Sequence, residues 1–315
     1  MKAYITKTAG GIESLELQEV AKPQVKKGEV LVKVKAISIN PVDVKARANE
    51  NVLSWVAGEV RPVILGWDIS GIIEEKSDDV TDFQIGDEVF GMVNFLGIGN
   101  AYAEYVSAPA AHLALKPKNI GFEEAAASTL AALTALQVLT LGKLKAGDKA
   151  LIHAGSGGVG HFAVQMAKHL GAEVISTSSA ANKDFILSLG ADRHVDYHNE
   201  NLESVIHDQD FIFNTVSKAV GDASVSLLKK GGRLYSITAK ELSEEIKPLA
   251  DEKQIEYGYH LVESNGEDMK TLAEWLEKGI IKAQVSKVFP FEELGEAHLA
   301  VETGRTVGKV VVSLL

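Results

Sequence analysis

Leu151-Ile152-His153-Ala154-Gly155-Ser156-Gly157-Gly158-Val159-Gly160 carries three glycines, Gly155, Gly157 and Gly160, at the spacing G-x-G-x-x-G. The spacing alone is a weak signal, and its surroundings strengthen it. A short apolar run, Lys149–His153, leads into it. Val159, Phe162, Ala163, Met166, Ala167 and Leu170 then follow at helical intervals, up to a stop at Gly171. Strand, turn and helix therefore succeed one another without a gap. Glycines permit a tight turn and let a pyrophosphate approach the backbone. The helix start offers free N–H groups and the positive end of its dipole. Gly155, Ser156, Gly157, Gly158, Val159 and Gly160 are thus candidate contacts for a dinucleotide.

Downstream, Glu173–Thr177 reads as a second strand and Asn182–Leu189 as a helix ended by Gly190. Arg193–Asp196, Phe211–Asn214 and Arg233–Thr238 read as further strands. Strands alternating with helices imply parallel βαβ units in a doubly wound sheet, expected over 118–258. An NAD site would place Asp or Glu about 20 residues past the glycines, to hold the ribose 2′-hydroxyl. This chain has Thr177-Ser178-Ser179 there, followed by Asn182 and Lys183. Hydroxyls, an amide and an ammonium suit a 2′-phosphate instead. The expected cofactor is NADPH, with Ser178, Ser179, Asn182 and Lys183 around that phosphate.

Upstream, the first third reads as β-rich. Val30, Val32 and Val34 alternate with Leu31, Lys33 and Lys35, and Glu88–Val93 and Ala101–Val106 are short strand candidates. Together they suggest a barrel-like β domain. Glu123 and Glu124 mark a helix start, and Ala125–Leu141 reads as one buried helix. At the far end, helices are expected at Met269–Lys278 and Glu292–Glu302, and strands at Val285–Phe289 and Lys309–Leu314. This tail is expected to return to the β-rich domain, giving 1–117 with 259–315.

Composition removes whole classes of function. The 315 residues carry 32 Lys and Arg against 43 Asp and Glu, a net charge of −11. Such a chain repels nucleic-acid phosphates and anionic membranes, and neither is expected as a partner. The absence of cysteine excludes disulfides, thiolate metal sites and cysteine nucleophiles. It also fits a reducing, cytoplasmic location. Met1–Gly11 lacks the apolar core of a signal peptide, and the alanine-rich Ala125–Leu141 stretch suits a buried helix better than a membrane span. No Tyr-x-x-x-Lys, P-loop or H-E-x-x-H motif occurs, and Ala154 stands where G-x-S-x-G needs glycine.

Further motifs carry a family resemblance. Asn40-Pro41-Val42-Asp43 is similar to an N-P-x-D signature, and Gly66-Trp67-Asp68-Ile69-Ser70-Gly71 to a G-x-[DE]-x-x-G element. Gly86–Gly91, Ala101–Val106, Leu228–Leu234 and Gly304–Val312 match in the same way. Across its whole length the chain resembles the zinc-independent quinone oxidoreductase branch of the medium-chain dehydrogenase/reductase superfamily. The resemblance implies an α/β protein, with a GroES-like β-rich catalytic domain and a Rossmann doubly wound parallel-sheet domain. The positions of the zinc ligands in metal-dependent relatives correspond to Asn40, Trp67 and about Leu130, none of them suited to zinc. Without a metal to hold a localised alkoxide, a conjugated acceptor is expected, whose charge spreads as hydride arrives.

The resemblance further implies that Asn40 and Thr134 lie near the nicotinamide, with Val216 on its side, and Tyr197 near the adenosine phosphate. Lys309 would lie near the cofactor or the domain interface. Lys45, where many relatives carry a tyrosine, is a candidate donor to a developing enolate. Asn214 stands where relatives have Asp. A homodimer is the family expectation. The expected function is NADPH-dependent reduction of a quinone or other conjugated carbonyl, in a cleft between the domains. The rival readings are a 2-alkenal or enoyl-thioester reductase and a low-turnover NADPH-binding sensor.

Overall fold

A computed structural model describes residues 1–315, and the chain forms two compact units. One comprises Met1–Leu133 with Glu263–Leu315, and the other is Thr134–Val262.

The first unit is built on a seven-stranded sheet whose central strand is Glu29–Ile39. Leu31, Val32, Val34, Ala36, Ile37 and Ile39 are all buried along it, so the strand is covered on both faces over most of its length. It pairs antiparallel with Asp68–Lys76, Tyr105–Pro109 and Lys309–Ser313. Glu88–Met92 and Leu113–Leu115 extend the sheet on one side, and Val285–Pro290 runs parallel to Lys309–Ser313 on the other. The register is what matters for the site. Ser38 faces Asp68, and Ile39 faces Val310, so Asn40, Asp68 and Lys309 arrive at one end of three adjacent strands. Gly71 is required by the same pairing, because a Cβ there would stand 2.3 Å from the Lys33 carbonyl oxygen.

Two helices in this unit, Pro41–Ala48 and Glu50–Ala57, went unread in the β-rich pattern. Pro41 opens the first, where a missing N–H costs nothing. Asn49 ends one and caps the other, its Oδ1 accepting the Asn51 and Val52 N–H groups. The expected single helix Ala125–Leu141 is two, Phe122–Ala127 and Leu130–Leu141. The Ser128 hydroxyl donates to the Glu124 carbonyl and the Thr129 hydroxyl to that of Ala126, both at 2.8 Å, and the first helix ends there. The sequence placed the crossover near 118, whereas the units divide after Leu133. Residues 118–133 stay with the first unit because Ala126 and Ala127 pack on Ala36 and Val311, and the Ser70 hydroxyl donates to the Phe122 carbonyl.

The second unit is a six-stranded parallel sheet of Lys149–Ile152, Glu173–Ser178, Arg193–Asp196, Gln209–Asn214, Leu228–Ser236 and Glu256–Tyr259. Numbered along the chain, these strands lie in the order 3-2-1-4-5-6, the Rossmann arrangement. The first, second and fourth strands bury nearly every side chain. That is why they read as short apolar runs rather than alternating ones. Gly158–His169 is the helix that follows the glycine turn.

Candidate active site

In the second unit the order reverses between the first and fourth strands, which places the glycine turn at the switch point where such sheets bind ligands. Gly157 precedes the helix Gly158–His169, and no side chain caps its first turn. Those N–H groups are therefore left for an anion. The glycines here serve close approach. A Cβ on Gly155 would meet Ser176 Oγ at 1.9 Å, and one on Gly160 would meet the Ala154 carbonyl oxygen at 2.2 Å. The one left-handed residue in the turn is Ala154, with φ +50°, so the conformational role expected of a glycine falls to an alanine.

The tip of the second strand carries no carboxylate. Ser178 is buried, and its hydroxyl donates to the Ser179 carbonyl at 3.0 Å and lies 2.8 Å from His194 Nε2. That hydroxyl is thus engaged inside the unit. Ser179 is half-buried beside it, and Asn182 donates to both Ser156 Oγ and Ser179 Oγ. Lys183 is exposed at the start of the next helix. Tyr197 and Val216 are large apolar side chains left exposed on this unit, and Tyr197 lies against the His198 ring. Asn214 is buried and shapes the loop bearing Val216: Nδ2 donates to the Ser217 carbonyl at 2.7 Å, and Oδ1 accepts the Val216 N–H at 3.0 Å. Asparagine at this position therefore has both halves of its amide in use. Thr134 is buried within the helix Leu130–Leu141.

In the first unit, Asn40 is buried where the central strand passes into the helix Pro41–Ala48. Its backbone N–H donates to Asp43 Oδ2 at 2.6 Å, and its Nδ2 donates to Asp68 Oδ2 at 2.8 Å. Lys309, also buried, donates from Nζ to the Ile39 carbonyl at 3.0 Å and to Asn40 Oδ1, and stands 3.9 Å from Asp68. Asp68 Oδ1 accepts the Leu130 N–H at 3.1 Å. The Tyr102 hydroxyl lies beside Asp43 and 2.8 Å from His298 Nε2. Arg47, one helical turn beyond Asp43, donates to the Gly10 carbonyl and pairs with Glu302. Asp43 Oδ1 and His298 Nδ1 have no partner.

Burial raises the pKa of Asp68 against the pull of Lys309, and lowers that of Lys309 against both carboxylates. Asp43 is pushed up to about 7, by burial first and then by the neighbouring charge of Asp68. His298 is pushed down to about 3, by burial and then by Arg47. Lys45 stands apart from this cluster, exposed on the opposite face of its helix from Asp43 and Arg47. Sequence reasoning named Asn40 and Lys309 but passed over Asp43, Asp68, Tyr102 and His298. The signal was present: two of them are the only charged residues in the motifs Asn40–Asp43 and Gly66–Gly71.

A nucleotide-binding sheet and a β-rich unit with a polar core at one strand end define a dinucleotide-dependent oxidoreductase. Two family models match, "Alcohol dehydrogenase GroES-like domain" over residues 26–118 and "Zinc-binding dehydrogenase" over 189–312. An Arabidopsis thaliana chloroplastic NADPH-dependent alkenal/one oxidoreductase is 33% identical over 99% of this chain and 79% of its own length. A Coxiella burnetii quinone oxidoreductase structure is 34% identical, with TM-score 0.92, covering 100% of this chain and 99% of its own. A mycobacterial protein solved with NADPH is 27% identical, with TM-score 0.87, covering 99% and 100%. This chain belongs to the quinone oxidoreductase branch of the medium-chain dehydrogenase/reductase superfamily.

The name of one matching family raises zinc, and the residues present do not fit it. The chain has no cysteine, and no three His, Cys, Asp or Glu side chains are grouped to hold an ion. Asn40 is taken up by Lys309 and Asp68, and Trp67 Nε1 donates to the Gly97 carbonyl at 2.7 Å. The residues at the nucleotide turn do fit a dinucleotide, since the glycines leave open backbone at an uncapped helix start.

Proposed function

We propose that this protein is a zinc-independent, NADPH-dependent reductase of quinones or enones. The observation that carries the reading is the buried Lys309 ammonium, bonded to Asn40 and 3.9 Å from Asp68. A resident cation there, and no grouped metal ligands, leave no Lewis acid to stabilise a localised alkoxide. A conjugated acceptor avoids that need, because the incoming charge spreads into an enolate or hydroquinone anion. The alkenal/one and quinone oxidoreductase relatives support the same two acceptor classes.

When bound, NADPH supplies the hydride. The turn Gly155–Gly160 would hold its pyrophosphate, with Ser179, Asn182 and Lys183 at the 2′-phosphate. Thr134 and Val216 would contact the nicotinamide, and Tyr197 the adenosine side. Asn40 offers a neutral amide N–H to the acceptor oxygen, with the final proton coming from solvent. Lys45 is exposed on its helix, apart from Asn40 and Lys309, and is not given the proton transfer in this reading. A homodimer and a cytoplasmic location belong to the same reading, the first resting on the family resemblance and the second on the cysteine-free composition.

The test is the initial rate of NADPH oxidation with matched quinones and 2-alkenals, with a metal chelator present and NADH run in parallel. Turnover that survives the chelator and favours NADPH is expected, and the faster acceptor names the branch. Chelator-sensitive turnover would overturn zinc independence. A rise in melting temperature with NADPH but no turnover would move the reading to a sensor.

A further inference from the structure

We infer that Lys309 is a positioning residue that locks the Asn40 amide in a single orientation, with Oδ1 on the ammonium and Nδ2 on Asp68. The inference rests on the reading above, in which Asn40 serves the acceptor, and it gives Lys309 a role other than the place near the cofactor or the domain interface that the resemblance implied. An asparagine amide has two orientations of nearly equal shape, and its neighbours alone decide between them. Here both neighbours agree. Lys309 can only donate, and Asp68 Oδ2 accepts from Nδ2 at 2.8 Å. Turning the amide would set N–H against ammonium and carbonyl against carboxylate. One Nδ2–H is used on Asp68, so the second is the group with a fixed direction.

Lys309 is itself held. It also donates to the Ile39 carbonyl at 3.0 Å, and the pairing of Val310 with Ile39 sets its backbone opposite Asn40. Its side chain is 3% exposed, and its head is spent on Ile39, Asn40 and Asp68. It therefore has little freedom to reach a cofactor phosphate. It also carries the positive charge beside two buried carboxylates, Asp43 and Asp68. Charge balance and amide orientation are separable roles, because only the second needs a donor to Asn40 Oδ1.

The experiment compares the parent enzyme, Lys309→Met, Asp68→Asn and the charge-balanced double variant Asp68→Asn with Lys309→Met. It measures melting temperature, NADPH dissociation constant, and kcat and KM with the faster acceptor. Lys309→Met is expected to lower the melting temperature and to cut kcat at least tenfold. The double variant is expected to regain most of the melting temperature, to bind NADPH within threefold of the parent, and to keep kcat at least tenfold down. Recovery of kcat together with stability would overturn the inference and leave Lys309 as charge balance only. A tenfold loss of NADPH affinity with kcat unchanged would overturn it in favour of cofactor contact. Should Lys309→Met fail to fold, the double variant is read against Asp68→Asn: a kcat at least tenfold below that of Asp68→Asn is expected, and an equal kcat overturns the inference. A neutron structure of the double variant, which separates amide nitrogen from oxygen, reads orientation without turnover: a turned or split Asn40 amide is expected, and an unchanged one overturns the inference. A parent enzyme that turns over no acceptor would instead count against the proposed function.

Discussion

Asn182 donates its amide N–H to the Ser156 hydroxyl at 3.1 Å, tying the region after the second strand to the glycine turn 26 residues earlier. The same Nδ2 lies 3.4 Å from Ser179 Oγ, so one side chain coordinates both parts of the proposed phosphate cradle. A carboxylate at 179 would take up that amide and face the 2′-phosphate. Ser179→Asp is expected to weaken NADPH relative to NADH by ~1–3 kcal/mol, read as the ratio of kcat/KM for the two cofactors. An unchanged ratio would remove Ser179 from the site.

Gly160→Ala tests the turn itself. The added Cβ would stand 2.2 Å from the Ala154 carbonyl oxygen and 2.7 Å from Gly155 Cα, both backbone atoms that yield only if the turn moves. The variant should fold, at a cost of roughly 1–3 kcal/mol. NADPH should then no longer raise its melting temperature. A parent-like thermal shift would show that the turn tolerates the methyl group.

Asn214→Asp introduces the residue that the family resemblance implies at this position. The carboxylate could still accept the Val216 N–H but would face the Ser217 carbonyl with a lone pair. Burying that mismatch should cost about 1–3 kcal/mol near neutral pH. The penalty should shrink on acidification, because a protonated acid can donate again. Urea denaturation at pH 5 and pH 7.5 reads the difference, and an equal loss at both would contradict the account.

Asp43 gives a pH dependence of definite sign. Its folded pKa of about 7 lies above the ordinary 3.8, so between those values the folded protein holds a proton that the unfolded chain has released. Its contribution is fully present below about pH 4 and is lost as pH rises to 7. Asp43→Asn removes that titration. The variant should therefore gain stability relative to the parent as pH rises from 4 to 7.5, and a stability difference that stays flat would exclude Asp43 as the titrating group. Buried neutral histidines act in the opposite sense. His298, held at about 3, and His153, held at about 4 by burial, favour the folded state above pH 6.5 and lose that contribution on acidification.

The two units were unequally legible in the sequence. The nucleotide-binding unit could be read almost strand by strand, because each short apolar run is bounded by Gly or a polar turn and followed by a helix. Its final strand, Glu256–Tyr259, is only partly buried and gave no such signal. The helix pair Pro41–Ala57 was hidden because Asn49 interrupts it after eight residues. The break at Ser128–Thr129 was hidden for the opposite reason, since alanines on both sides favour helix and only two hydroxyl-to-carbonyl bonds end it. The polar cluster was the least legible feature. Asn40 and Lys309 carry motifs of their own, but their contact follows from register between distant strands, which no local pattern encodes.

That register has a consequence for how the protein is made. Asn40 and Lys309 lie 269 positions apart, and the entire unit Thr134–Val262 is synthesised between Asp68 and the lysine that neutralises it. The nucleotide-binding unit is therefore complete in the growing chain before the last two strands of the first sheet are made. Until Lys309 is made, the ammonium that bonds Asn40 and faces Asp68 is missing, so the buried polar cluster of the first sheet can close only at the end of synthesis.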